Sequence, residues 1–190
     1  NVCFKNLELS LLGRFQASNA ALALSACLHH GNKTGKEISE KSIRKGLKST
    51  SWDGRMEVIS SRPTILLDIA HNPAAVNEMA KSVEELFEYK RVIVILGIMR
   101  DKQAGDILKK LSTFAGHFIL VRPNQKRSEN PVRLKEILSR YNASCEIIEN
   151  IKKAIRKVKQ TALPDDMVCI TGSIFTVGEA KQYLEDEFNY

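Results

Sequence analysis

The sequence predicts an α/β fold: a mainly parallel β-sheet with helices on both faces, preceded by a short, mostly helical segment. Two observations point there. From Arg55 onward, short β-branched runs alternate regularly with longer helical stretches, the order imposed when parallel strands are joined by crossover helices. The runs are also nearly continuous in apolar residues, as from Val92 to Met99, which is what a strand buried on both faces requires.

The elements follow in order. Residues Phe15 to His30 are rich in Ala and Leu, with Ala20, Leu24 and Leu28 one helical turn apart, and read as a buried or half-buried helix with Gly31 as its C-terminal stop. His29 and His30 then fall at a solvated helix end. From Lys36 to Lys48, Ile38, Ile43 and Leu47 alternate with charges and give a second, amphipathic helix. The polar, turn-prone stretch from Ser49 to Gly54 marks a domain boundary, with residues 1–50 before it and 51–190 after. Strands are expected at Thr64–Ile69, Val92–Gly97, His117–Val121, Cys145–Ile148 and Met167–Thr171, with Met56–Ile59 as an additional edge strand. Helices are expected at Ala74–Glu88, Ala104–Phe114, Pro131–Arg140, Ile151–Gln160 and Ile174–Phe188.

Composition narrows the classes. Of 190 residues, 43% are hydrophobic and 27% charged, which excludes a disordered tail. This length supports one good core and a fragment of another domain. The apolar runs are strand-sized, short of the ~18 residues of a membrane-spanning helix. Asn1 to Ser10 lacks the basic-then-apolar layout of a secretion signal, and the start reads as a cut or processed end. Cys3, Cys27, Cys145 and Cys169 show no Cys-x-x-Cys spacing and sit among apolar neighbours, so buried, reduced thiols and a cytoplasmic setting are expected. The net charge of +7 favours acidic partners: nucleotide phosphates, polycarboxylates or nucleic acid.

The chemistry concentrates where strands end, because ligands of such sheets bind beyond the carboxyl ends of the strands. In Leu66-Leu67-Asp68-Ile69-Ala70-His71-Asn72-Pro73, Asp68 ends a strand, His71 and Asn72 fill the turn, and Pro73 suits the first position of a helix. Asn72 alone reads best as the cap of that helix. A carboxylate and an imidazole within one turn suit the positioning of a phosphate, a metal-bound water or a ribose hydroxyl. At Cys169-Ile170-Thr171-Gly172-Ser173, the glycine permits close backbone approach and the serine caps a helix whose N–H groups can hold an anion. At Leu96 to Lys102, Asp101 can cap a helix and Arg100 or Lys102 can face an anion. In Trp52-Asp53-Gly54-Arg55-Met56-Glu57, Arg55 follows a flexible junction and can grip phosphate oxygens in two places. No Gly-x-x-x-x-Gly-Lys-Ser/Thr loop and no Gly-x-Gly-x-x-Gly after a strand occurs, so the usual phosphate cradle is not in this chain.

Taken together, these stretches resemble the C-terminal part of folylpolyglutamate and dihydrofolate synthases, of the Mur ligase family. The matching segments are Gly13-Arg14-Phe15-Gln16 with Asn19 to Leu24, Trp52 to Glu57, Leu67 to Pro73, Gly97 to Lys102, and Thr171-Gly172-Ser173 with Val177-Gly178. They span nearly the whole chain, and Leu-Asp-x-Ala-His-Asn-Pro preceded by Gly-Arg-Met/Phe-Glu/Gln is the specific combination. The resemblance implies a Rossmann-like C-terminal ligase domain after the helical end of an ATPase domain. It implies an ATP-dependent ligase, inactive as this fragment alone, that adds L-glutamate to folate or dihydropteroate through an acyl phosphate. It implies that Asn19, Arg55 and Asp68 contact ATP, and that His71 and Ser173 lie near the incoming glutamate and the transferred phosphate. His71 and Arg55 would be the catalytic residues. Mg2+ would be held by the missing ATPase domain, with no metal ligand in this chain. Phe15 stands where many members have His before Gln, and Gln103 follows Lys102 where an acid is common, so neither position is carried over. A monomer is expected, with no nucleic acid and no membrane among its partners.

Two rival readings remain. A stand-alone nucleotide- or carboxylate-binding regulatory domain fits a chain without a phosphate cradle. A basic nucleic-acid-binding module fits the charge and the run Lys152, Lys153, Arg156, Lys157, Lys159. Aromatic residues are only 6% and are not interleaved with those cations as stacking would require.

Overall fold

The computed structural model describes residues 3–188, the side chains of 185–188 excepted; Asn1, where the chain reads as cut or processed, lies outside them. The chain divides into two compact units, Asn1–Asp53 and Gly54–Tyr190.

The first unit holds helices α1 (Phe15–Thr34) and α2 (Glu40–Ser49). The stripe Ala20, Leu24, Leu28 of α1 is half-buried, whereas Leu22 on another side is 71% exposed. Gly31 does not stop α1. It lies inside the helix, where a Cβ would stand 2.7 Å from the Lys36 carbonyl oxygen. The helix runs on to Gly35, whose φ of 68° provides the left-handed turn that ends it. His29 and His30 are therefore interior positions of an exposed helix face. Ser39 caps α2 by accepting the Ser42 N–H. The Arg44 guanidinium holds the preceding segment by donating to the carbonyls of Lys5 (2.8 Å) and Asn6 (2.9 Å).

The second unit is a six-stranded sheet in the order β1-β2-β6-β3-β4-β5. Its strands are β1 (Glu57–Ser61), β2 (Thr64–Leu67), β3 (Arg91–Leu96), β4 (His117–Leu120), β5 (Ser144–Ile147) and β6 (Asp166–Thr171). All pairs are parallel except the β1–β2 hairpin, so β1 is the additional edge strand the sequence suggested. Between and after the strands lie α3 (Pro73–Leu86), α4 (Ala104–Leu111), α5 (Pro131–Leu138), α6 (Ile151–Thr161) and α7 (Ile174–Phe188). Asn72, Asn130 and Asn150 cap α3, α5 and α6 through side-chain oxygens.

Alternation along the strands sends successive side chains to opposite faces. Ile65, Leu67, Ile93, Ile95, Val168 and Ile170 face one way, onto α6 and α7. Leu66, Val92, Val94, Leu96, Met167 and Cys169, all buried, face the other, where α3, α4 and α5 pack side by side. The basic residues of α6 lie on the side away from its buried Ile151, Ala154, Ile155 and Val158, with Lys152 Nζ 5.0 Å from the centre of the Tyr183 ring. This is the solvated face of an amphipathic helix. Among the described residues, no helix is long and apolar enough to cross a membrane.

Of the four cysteines, only Cys169 is buried and Cys145 is half-buried; Cys3 and Cys27 are exposed, contrary to the expectation from their apolar neighbours. All four are free thiols. Both exposed ones lie in the N-terminal unit, where apolar sequence is not matched by burial.

Candidate functional site

The topology selects one part of the carboxyl edge. Strands β2 and β6 are neighbours, yet α3 follows β2 onto one face and α7 follows β6 onto the other. The same reversal occurs between β6 and β3. A crevice opens at such switch points, and it is where open α/β sheets take their ligands. The three segments singled out in the sequence, after β2, β3 and β6, are the three that end there.

Hydrogen bonds carry the sheet past its strand ends and knit these segments together. The Asp68 N–H donates to the Ile170 carbonyl (3.1 Å), the Gly172 N–H to the Ala70 carbonyl (3.1 Å), and the Gly97 N–H to the Thr171 carbonyl (3.3 Å). Two glycines make this closeness possible. At Gly172, with φ of 105°, a Cβ would lie 2.6 Å from the Gly97 oxygen; at Gly97 it would lie 2.5 Å from Thr176 Oγ1. Side chains larger than hydrogen would push the strand ends apart.

Asp68 is 5% exposed, and its two carboxylate oxygens divide their work. Oδ1 accepts the Ala70 N–H at 2.9 Å and Oδ2 accepts the Met56 N–H at 3.0 Å. Burial raises its pKa above the ordinary carboxylate value, against the opposing pull of those two amides and of the Arg55 charge. Asp68 thus builds the turn that carries Arg55, a structural task the sequence did not reveal. Within that turn Gly54 (φ 68°) and Met56 (φ 47°) both adopt left-handed backbone. Met56 is fully packed away while Arg55 is exposed. Alternation therefore buries the methionine and leaves the guanidinium outside.

His71 is half-buried, with Nδ1 3.0 Å from the Ile69 carbonyl oxygen. A carbonyl only accepts, so Nδ1 carries the proton and Nε2 keeps a lone pair in the neutral ring. Ser173 is 3% exposed. Its Oγ accepts the Thr176 N–H at 3.0 Å and lies 2.8 Å from Thr176 Oγ1, which donates to the Gly97 carbonyl at 2.8 Å. With the threonine proton spent on Gly97, the serine proton goes to Thr176. The Ser173 hydroxyl therefore has no proton left for a ligand. Beyond the Thr176 N–H, which Ser173 takes, the first turn of α7 offers the backbone N–H groups of Ile174 and Phe175, which a helix leaves without an intrahelical partner.

The segment after β3 departs from expectation. Asp101 caps nothing: α4 starts from Gln103 without a side-chain cap, and Asp101 instead pairs with Lys102 (3.1 Å) and Arg127 (3.9 Å). Those cations hold its carboxyl below the usual range, Lys102 most of all. Arg100 spends its guanidinium on the Lys126 carbonyl, and its N–H donates to the Arg127 carbonyl at 2.8 Å. These bonds tie Arg100 to the loop after β4. Asn19 belongs to the N-terminal unit, exposed on α1, its Nδ2 donating to the buried Gln16 Oε1 at 2.8 Å.

Residues 54–174 match the family model for the Mur ligase glutamate ligase domain. This chain belongs to that family. The chain is 32% identical, over 93% of its length, to the Haloferax volcanii protein named probable bifunctional folylpolyglutamate synthase/dihydropteroate synthase, and covers 20% of that protein. Among solved structures, this Mur ligase chain resembles Escherichia coli FolC in complex with DHPP and ADP, with a TM-score of 0.85 and 26% identity over 97% of this chain and 42% of that one. It also resembles a bifunctional folylpolyglutamate synthase/dihydrofolate synthase with Mn, AMPPNP and L-glutamate bound, with a TM-score of 0.82 and 26% identity over 98% of this chain and 42% of that one. The Mur ligase chain therefore spans about a fifth to two fifths of the length of these proteins.

Proposed function

We propose that this chain is the C-terminal part of an ATP-dependent ligase that joins L-glutamate to folate or dihydropteroate through an acyl phosphate. The observation that supports it best is the shared edge: an exposed guanidinium, a half-buried imidazole and the start of α7 lie at one topological switch point, a donor set suited to phosphate and carboxylate groups. Arg55 grips the polyphosphate of ATP from its turn, and Asp68 offers its remaining lone pairs to a ribose hydroxyl.

Formation of the amide requires two displacements. An acceptor carboxylate oxygen attacks the γ-phosphorus, breaking the bond to the ADP oxygen and giving the acyl phosphate. The glutamate amine then attacks the acyl carbon, and inorganic phosphate leaves. The amine sheds a proton as it becomes an amide, and His71 Nε2 is the acceptor this chain supplies. Arg55 neutralises charge spread over the transferred phosphoryl group, the principal demand of such a transition state. The first turn of α7, ordered by Ser173, holds a carboxylate of the incoming glutamate. Mg2+ belongs to the ATPase region outside this chain, where its charge assists phosphoryl transfer. The setting is cytoplasmic and the protein monomeric.

The test is mass spectrometry of the acceptor after incubation of the full-length protein with ATP, magnesium, L-glutamate and either dihydropteroate or a reduced folate. A gain of one glutamyl residue on either acceptor is expected. ATP consumption with no glutamyl product on either would refute the reading.

A further inference from the structure

The turn that presents Arg55 is held from a third side by groups that no step above uses. Glu57 Oε2 accepts the Gly54 N–H at 2.7 Å, and Glu57 Oε1 accepts from Lys181 Nζ, also at 2.7 Å. Both side chains are 22% exposed, so the pair is partly withdrawn from water and less screened than an ion pair on an open surface. Lys181 lies on α7, 124 residues away in sequence. Four residues earlier on the same helix, Val177 packs on the same turn: a Cβ at Gly54 would stand 2.9 Å from Val177 Cγ1 and 2.8 Å from Ile69 Cγ2. The remaining anchor is the Gly54 carbonyl, which accepts the Ile69 N–H at 2.8 Å.

We propose that Glu57 and Lys181 are positioning residues for Arg55, and that α7 ties the arginine turn to the Ser173 end of the site. The inference rests on the function proposed above. Two left-handed residues flank Arg55, and an isolated turn of that shape relaxes, because left-handed backbone is disfavoured for Met56. Asp68 fixes its far side through the Met56 amide. Glu57 fixes its near side through the Gly54 amide, and Lys181 holds the Glu57 carboxylate at the angle that reaches that amide. Residues 177 and 181 are one helical turn apart on α7, so one face of the helix supplies both the steric stop and the charge. A helix whose first turn faces one substrate group thereby sets the direction of the cation that faces another.

The decisive variants are Lys181→Met, Lys181→Arg and Arg55→Ala in the full-length protein. Misplacing Arg55 by a fraction of an ångström is expected to raise the KM for ATP about tenfold in Lys181→Met. The KM for glutamate should stay within about twofold, and Lys181→Arg should restore most of the loss. In an Arg55→Ala background, Lys181→Met should add less than about twofold, because its effect passes through the arginine. An unchanged KM for ATP, or an equal loss with Arg55 absent, would overturn the proposal. Hydrogen exchange of the Gly54 amide in the full-length protein decides independently of turnover: exchange should quicken in Lys181→Met and in Glu57→Ala, and equal protection in all three proteins refutes the clamp. Should wild-type protein yield no glutamyl product, the function fails while the exchange measurement still judges the clamp.

Discussion

Asp68 accepts the backbone N–H of Met56 at 3.0 Å and so ties the end of β2 to the residue directly after Arg55. Acid and arginine belong to one device, but replacing them has different consequences. Asp68→Ala strands two buried amides, those of Met56 and Ala70, and is expected to cost about 2–4 kcal/mol of unfolding free energy. Arg55→Ala removes an exposed side chain and is expected to change stability by less than about 0.5 kcal/mol. Urea unfolding of the two variants checks the split. Loss of turnover in Asp68→Ala therefore says little about ATP contact unless stability is measured beside it.

The glycines of α7 and of the strand end should respond in opposite directions to the same change. Gly172→Ala is expected to destabilise by about 2 kcal/mol or more, since φ of 105° is strained for alanine and the new methyl meets the Gly97 carbonyl. Gly178, exposed within α7, has nothing within 4 Å of its Cβ position, and Gly178→Ala is expected to stabilise by about 0.5–1 kcal/mol. Thermal unfolding of both separates the two effects.

At the opposite, amino edge of the sheet, Arg91 Nε donates to Asp166 Oδ1 at 3.2 Å and its NH2 group to Oδ2, while the Leu163 N–H reaches Oδ2 at 2.8 Å. These bonds, the arginine first, hold the Asp166 carboxyl below its ordinary value. Because the folded pKa is the lower one, the unfolded chain binds the proton first as pH falls. The stabilisation is thus complete above about pH 4 and drains away as pH drops through the folded pKa. Asp166→Asn is expected to flatten the loss of stability on the acid side of about pH 4, as followed by urea midpoints on falling pH.

Ser173 is expected to act through structure as well as position. Removing its hydroxyl in Ser173→Ala takes the cap from Thr176 and should cost about 1 kcal/mol. If the first-turn amides hold the glutamate, the KM for glutamate should rise with it while the KM for ATP changes little. Steady-state kinetics with each substrate varied in turn provides the check.

Much of this was legible in the sequence for a physical reason: buried parallel strands and amphipathic helices write their periods into every residue. The strands from Thr64 to Thr171 and the caps Asn72 and Ser173 are local patterns, and they stand where those patterns put them. What escaped depends on partners far away in sequence. Gly31 is a nearer case: a glycine reads as a helix stop, but here it makes room for the Lys36 carbonyl five residues on. The insertion of β6 between β2 and β3 gathers Asp68, Gly97 and Ser173, yet no periodicity encodes strand order. Asp68's grip on the Met56 amide, Arg100's use on the Lys126 carbonyl and the Glu57–Lys181 pair are all contacts of this kind.

The claim that an arginine on a clamped turn serves a glutamate-joining ligase is tested most directly by ADP release from the full-length protein, measured with and without L-glutamate in the presence of acceptor. Sustained release that requires glutamate, and that falls by about a hundredfold in Arg55→Ala while the variant unfolds at the same urea concentration as wild type, is the expected result. Glutamate-dependent release at the wild-type rate in Arg55→Ala would contradict it.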